Sequence, residues 1–269
     1  MTSQIYAGHE TALRAWDGGD GRALMVHCSL GHSGAWKGVA GHLAATHTSR
    51  GFDLPGHGRS GPWDGQGVYQ DVVCAQIRGM IADWQAPVDL IGHSFGATAC
   101  LRVACTSPEL VRRLVLIEPV FFTAAYRADP AFEAEQMAKG SEVYDSFRAK
   151  DYRSAARAFL RDWGGGQPFD AMSPVQQDQF VEQMKLVEAV YVTNNGDPDG
   201  MLGDGLVARL PMPVMLIDGA ESPEGSHRIV QALDDLIPDS RLVTIPNAAH
   251  MVPITHADAV GPLVAEFLR

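Results

Sequence analysis

Residues 90 to 98 read LIGHSFGAT, and their order decides how the rest of the chain is read. Val88, Leu90 and Ile91 supply the apolar run of a strand, and Gly92 and Gly96 then bracket Ser94 before a small-residue helix begins. A serine on so tight a strand-to-helix turn needs neighbours without bulk, which the two glycines provide. Its hydroxyl then stands clear of the sheet at a helix N-terminus, whose dipole favours developing negative charge. The competing reading is a chance GxSxG in a loop; the strand before it and the helix after it argue for chemistry.

Outward from this turn, short apolar runs recur: ALMVHC at 23–28, VDLIGH at 88–93, LVLIEP at 114–119, VMLIDG at 214–219 and RLVTIP at 241–246. Runs this short and uniform suit strands covered on both faces, hence a mainly parallel sheet. Helix patterns lie between them near 33–45, 68–84, 95–106, 226–236 and 256–268. The alternation indicates an α/β fold, with an antiparallel start from QIYAG and ALRAW. It breaks between about Phe121 and Val207, a stretch rich in aromatics and without a convincing strand. Within it Ser173, Pro174 and Gln176 signal a capped helix start, followed by Phe180, Met184, Val187 and Tyr191 on one face. The segment reads as a helical insertion, with WGGGQP (163–168) and NNGDPDGMLGDG (194–205) as loop or hinge signals.

The bulk numbers exclude several function classes. With 32 acidic against 21 basic residues, the net charge of -11 repels phosphate backbones and anionic lipid, and no local basic cluster reverses it. The N-terminal MTSQIYAGHETALRAW lacks the basic start and apolar stretch of a signal peptide. No run approaches the roughly 18 apolar residues of a membrane span. Cys28, Cys74, Cys100 and Cys105 show no metal-ligand spacing and read as buried reduced thiols, so a cytoplasmic protein is expected. The expected partners are a small-molecule substrate and, at most, a second copy of the chain as a homodimer, with no nucleic acid and no membrane.

On these motifs the sequence resembles the α/β-hydrolase superfamily. The resemblance implies an α/β-hydrolase fold: a mainly parallel eight-stranded sheet flanked by helices, formed by residues 1–120 and 207–269, with a helical cap over 121–206. GFDLPGHGRS (51–60) then corresponds to a supporting loop, which makes Asp53, His57 and Arg59 structural. HCSLGHSGAW (27–36) occupies the oxyanion loop, where the family usually has His-Gly-X; here Cys28 replaces the glycine and X is Ser29. The backbone NH groups of Ser29 and Phe95 are therefore the expected oxyanion hole. Cys28 reads as a packed thiol rather than a second nucleophile, and His27 and His32 as loop-shaping residues.

A serine hydroxyl is a weak nucleophile and needs a base. In IPNAAHMVPITHADAV, His250 follows the last strand and precedes the C-terminal helix, where the superfamily places its catalytic histidine. The imidazole needs an acid to hold its tautomer. Relatives usually carry an Asp three residues after the glycine that ends the preceding strand; counted from Gly219 that position is Ser222, so the usual site is vacant. Glu221 is one residue short, Asp218 lies in the strand end and Glu224 follows Pro223. The other candidate is Glu118, which closes the apolar run LVLIEP, because a carboxylate there needs a partner. Some haloalkane dehalogenases of the superfamily put their acid at this strand's end. Glu118 is the preferred acid and Glu221 its rival.

These roles predict a Ser94–His250–Glu118 hydrolase that needs no cofactor and no metal. The leading expectation is a carboxylic-ester hydrolase acting on a small, partly apolar molecule through an acyl-enzyme on Ser94. A carbon-carbon bond hydrolase or lactonase with the same residues stands as the alternative, and a non-catalytic ligand-binding protein on the same scaffold as the second.

Overall fold

The computed structural model describes residues 1–139, 141–164 and 166–269. β1 (Thr2–Tyr6) and β2 (His9–Val26) pair antiparallel through Ala7 and Gly8, both at positive φ, a turn whose twist suits adjacent strands. β2 is 18 residues long and reverses within itself. From Leu13 to Trp16 its partners in β3 (His47–Phe52) descend from Phe52 to Ser49, and from Arg22 to Val26 they ascend from Thr48 to Phe52. The reversal falls at DGGDG, Asp17–Gly21, where the backbone of residues 46 and 47 presses close. A Cβ on Gly18 would lie 2.1 Å from the His47 carbonyl oxygen, so only glycine passes.

β4 (Val88–His93), β5 (Val111–Ile117), β6 (Val214–Gly219) and β7 (Ser240–Ile245) complete the sheet in parallel. The strand order is β1-β2-β4-β5-β6-β7, with β3 paired to β2. Among the described residues the sheet therefore has seven strands rather than the eight expected. The correction is local: ALRAW and the first four residues of ALMVHC, read as separate strands, lie in one continuous β2, and His27 and Cys28 lie beyond its end.

Both faces of the parallel strands are covered, which is why their sequences read as unbroken apolar runs. Leu24, Val26, Leu90, Leu114, Leu116 and Leu216 point to one face, packed under α2 (Tyr69–Trp84), α3 (Phe95–Thr106) and α9 (Glu224–Leu236). Met25, Ile91, Val115, Ile117, Met215 and Ile217 point to the other, under α1 (Lys37–Leu43) and α11 (Ala257–Phe267), with the short α10 (Val252–Thr255) before it. The helix expected over 95–106 spans those residues.

Between β5 and β6 run α4 (Phe122–Ala128), α5 (Pro130–Lys139), α6 (Glu142–Arg148), α7 (Tyr152–Trp163) and α8 (Pro174–Asn194). α8 starts on a full capping box: the Ser173 hydroxyl accepts from the Gln176 amide and the Gln176 side chain accepts from the Ser173 amide. α6, α7 and α8 bury their own cluster, including Val143, Phe147, Ala156, Phe169, Met184 and Val187. Phe121, Ala124 and Ala125 instead join the main core, and Phe122, Tyr126 and Trp163 pack against it. Of the loop signals in WGGGQP, Gly165 lies outside the described residues.

Candidate active site

Ser94 sits between β4 and α3 at φ 55, ψ -121, a conformation that costs a non-glycine residue energy and persists only when its surroundings enforce it. They do so here on both sides. The Ser94 amide donates to the Ile117 carbonyl at 2.9 Å, and the Ser94 carbonyl accepts from Thr98 N at 3.1 Å. A Cβ on Gly92 would meet Ala97 Cα at 2.5 Å, and one on Gly96 would meet the Val26 carbonyl oxygen at 2.3 Å. The glycines thus let α3 start immediately beyond the strand and against the backbone that leads into the 27–36 loop.

The three side chains singled out for chemistry meet in one hydrogen-bonded chain. His250 Nε2 lies 3.0 Å from Ser94 Oγ and His250 Nδ1 lies 3.0 Å from Glu118 Oε2. With the Nδ1 proton directed to the carboxylate, Nε2 is left as acceptor for the serine hydroxyl, the tautomer a general base requires. All three are buried: Ser94 is 7% exposed, His250 4% and Glu118 0%. Such burial removes competition from water for each bond.

Glu118 follows β5 directly, at φ 52, with its amide donating to the Ile217 carbonyl at 2.8 Å. That turn swings the side chain across to β6. Its Oε1 accepts from the Gly219 amide at 2.7 Å and from the Ser222 hydroxyl at 2.5 Å. Burial alone would push this carboxyl up, but the His250 bond and charge, then Ser222 and Gly219, outweigh it and hold the group at about 2. It is therefore an ionised carboxylate with three donors.

Glu221, its rival, is exposed, and its carboxylate has no partner among the described residues; only its amide is engaged, with the Ala248 carbonyl at 2.8 Å. Asp218 is buried but turned to the other side, against His227 Nδ1 at 2.6 Å. Glu224 pairs with Arg228 on the surface of α9.

The Ser29 and Phe95 amides carry no protein acceptor among the described residues; Phe95 opens α3, where helical amides are left unpaired. The loop that carries Ser29 is braced by the 51–60 segment. His57 Nε2 accepts from the Leu30 amide at 3.1 Å, His27 Nε2 accepts from the Leu54 amide at 2.9 Å, and Asp53 accepts from the Ser33 and Arg59 amides at 2.7 and 2.9 Å. Burial holds the His27 and His57 imidazoles down, at about 3 and about 4, so both stay neutral and can accept. His32 is exposed and shapes the loop by accepting from the Gly34 amide. Cys28 is buried and its thiol is pushed up to about 12 by that burial, so it is no thiolate nucleophile.

Three neighbours were not assigned roles from the sequence. Ser222, marked only as a vacancy, bonds the carboxylate. His93, inside the elbow, donates from Nε2 to the His250 carbonyl at 2.8 Å; burial and the adjacent His250 hold it neutral, at about 3. Trp163, at the end of α7, sets its ring edge-on to the His250 imidazole with centroids 4.8 Å apart. Phe122 packs against Trp163 in turn, at 6.1 Å. A histidine in a buried turn is the one signal among these that could have been read, since it must find partners.

Comparison with known proteins agrees with this architecture. A family profile described as "Alpha/beta hydrolase family" matches residues 23–262. A "Pimeloyl-[acyl-carrier protein] methyl ester esterase" of Neisseria meningitidis serogroup B is 27% identical over 239 residues, covering 84% of each chain. An "(E)-2-((N-methylformamido)methylene)succinate hydrolase" of Acinetobacter baylyi is 22% identical over 274 residues, covering 100% of this chain and 98% of that one. A solved alpha/beta hydrolase from Sphaerobacter thermophilus superimposes with a TM-score of 0.73 at 20% identity over the full length of both chains. The sheet, the serine turn and the extent of the profile match lead to one conclusion: the chain belongs to the alpha/beta hydrolase family.

Proposed function

We propose that this hydrolase cleaves a carboxylic ester of a small, partly apolar molecule through an acyl-enzyme on Ser94. The observation that carries the reading is the continuous chain from Ser94 Oγ through His250 to Glu118, with 3.0 Å at each step. His250 Nε2 takes the Ser94 proton as Oγ attacks the carbonyl carbon. The oxygen of the tetrahedral intermediate is held by the free amides of Ser29 and Phe95, at a helix N-terminus where negative charge is favoured. His250 returns its proton to the departing alcohol oxygen, and Glu118 stabilises the imidazolium in between. Water, deprotonated by the same imidazole, then releases the acid and restores Ser94.

In this reading the helices between residues 121 and 206 form a cap over the site, and Trp163 and Phe122 give the substrate its apolar surroundings. Most other aromatics of the segment serve its own core. Support for an ester over other acyl compounds comes from the esterase among the relatives. The test is hydrolysis of p-nitrophenyl butyrate and labelling by a fluorophosphonate. The native protein should show both, and Ser94→Ala should lose both by more than a thousandfold, the order of a disabled nucleophile. A native protein inert to both reagents refutes the reading.

A further inference from the structure

Resting on the reading of Glu118 as the triad acid, we propose that Ser222 is a positioning residue for the reaction: its hydroxyl fixes Glu118 Oε1 so that Oε2 alone faces His250. A carboxylate's last torsion is soft and nearly two-fold, so burial by itself does not choose which oxygen meets the imidazole. In this protein the choice is made by donors. Oε1 takes two, the Ser222 hydroxyl at 2.5 Å and the Gly219 amide at 2.7 Å, and Oε2 is left for His250 Nδ1 at 3.0 Å.

The turn that carries Ser222 also fixes the base. The Ser222 amide donates to the Gly219 carbonyl at 3.0 Å, closing the turn. Ala220 donates to the Ile245 carbonyl at 2.9 Å and Glu221 to the Ala248 carbonyl at 2.8 Å, which ties the turn to the stretch leading into His250. Gly219 is packed against that stretch so closely that a Cβ would lie 2.3 Å from the Ala248 carbonyl oxygen. One turn, its Ser222 buried at 8% exposure, thus holds the acid by a side chain and the base by its backbone. Glu118 comes from another strand and depends on the Ser222 hydroxyl to stay in register with an imidazole that the same turn already anchors.

The experiment is Ser222→Ala with p-nitrophenyl butyrate, read as kcat and KM separately, and with the rate of fluorophosphonate labelling of Ser94 as a second readout. Losing a hydrogen bond to a charged group should lower kcat and the labelling rate by about tenfold or more, with KM nearly unchanged. Ser222→Thr keeps the hydroxyl and should hold kcat within about threefold of the native protein. In a Glu118→Ala background, and in Glu118→Gln should that variant fold poorly, adding Ser222→Ala should cost far less than it does alone, since the ionised group it positions is gone. Native kcat and labelling in Ser222→Ala, or an equal loss in the Glu118 backgrounds, overturns the proposal while leaving Glu118 as the acid. Native activity in Glu118→Gln removes the acid assignment itself and the proposal with it.

Discussion

At the scale of single residues, position along the chain and position in space part company most clearly at the two glutamates. Glu221 lies in the segment where the sequence resemblance leads one to expect the acid, yet it is exposed and its carboxylate has no partner among the described residues. Glu118 lies 132 residues from His250 and reaches it at 3.0 Å. Glu118→Gln is expected to lower kcat by on the order of a thousandfold, because the amide cannot support the imidazolium and favours the wrong tautomer. Glu221→Gln should leave kcat within about twofold, as expected of an exposed side chain remote from the chemistry. Steady-state kinetics on the two variants check both outcomes. Ser94 and His250 were legible because each stands where an apolar strand stops and a helix is about to start, a context the sequence displays directly. Glu118 was legible only through a gap, the missing carboxylate at Ser222. Ser222 itself was not legible, and of His93 only its need for a partner was: a hydroxyl or an imidazole acquires its role from donors and acceptors brought from distant segments, and nothing in local spacing announces them.

At the scale of elements, the least readable piece is β3, HTSRGF. Apart from Phe52, which joins the main core, its buried positions carry His47, Ser49 and Gly51, so it shows no apolar run. Buried His47 places Nε2 2.9 Å from buried Asp89 of β4, and Arg112 of β5 grips the same carboxylate. The network ties three strands at the end of the sheet away from Ser94. Asp89→Ala should destabilise the fold by roughly 3 kcal/mol, the cost of removing one member of a buried ionic network. Urea unfolding followed by circular dichroism measures it, and a loss below about 1 kcal/mol would show that the network is replaceable. The unbroken β2 was missed for a related reason. Its reversal is made by DGGDG, which reads as a break between strands, whereas in space the glycines let the chain turn without leaving the sheet.

At the scale of the whole molecule, burial of histidines makes stability depend on acid. His27, His57 and His93 are buried, and burial first of all lowers them from 6.5 to about 3, about 4 and about 3. Their bases are depressed in the folded state, so the unfolded chain takes up protons first as pH falls. The stability they preserve is full above about 6.5 and is lost between there and 3 to 4. Glu118 acts in the same sense lower down: ionised in the fold to about 2, it favours the native state above the ordinary carboxylate value of 4.5, and that contribution disappears as pH falls through about 2. Each histidine contributes up to about 1.4 kcal/mol per pH unit in its window. Denaturant midpoints should therefore fall steeply between pH 6.5 and 4; a flat profile there would show that these imidazoles are not held neutral. No helix among the described residues is long and apolar enough to cross a membrane. The alternation of apolar runs and helices, and its interruption after Phe121, were legible because each follows from burial on two faces of one sheet. The division of labour inside the interruption was not, since Phe122 and Phe147 are alike in sequence and serve different cores.

Glu118 is also the last residue before Pro119 and the chain's departure into α4. The helices between β5 and β6 are thereby joined to Glu118 by three residues, Pro119, Val120 and Phe121, on one side, whereas on the return side Val207 is seven residues from Val214, where β6 begins. The two junctions are mechanically unequal. A displacement of α4 is therefore expected to reach the backbone at Glu118 through fewer residues than one at the return side needs to reach Gly219. Any exchange of this segment for a foreign one has to splice after Glu118, because a cut before it would carry that carboxylate away with the replaced segment.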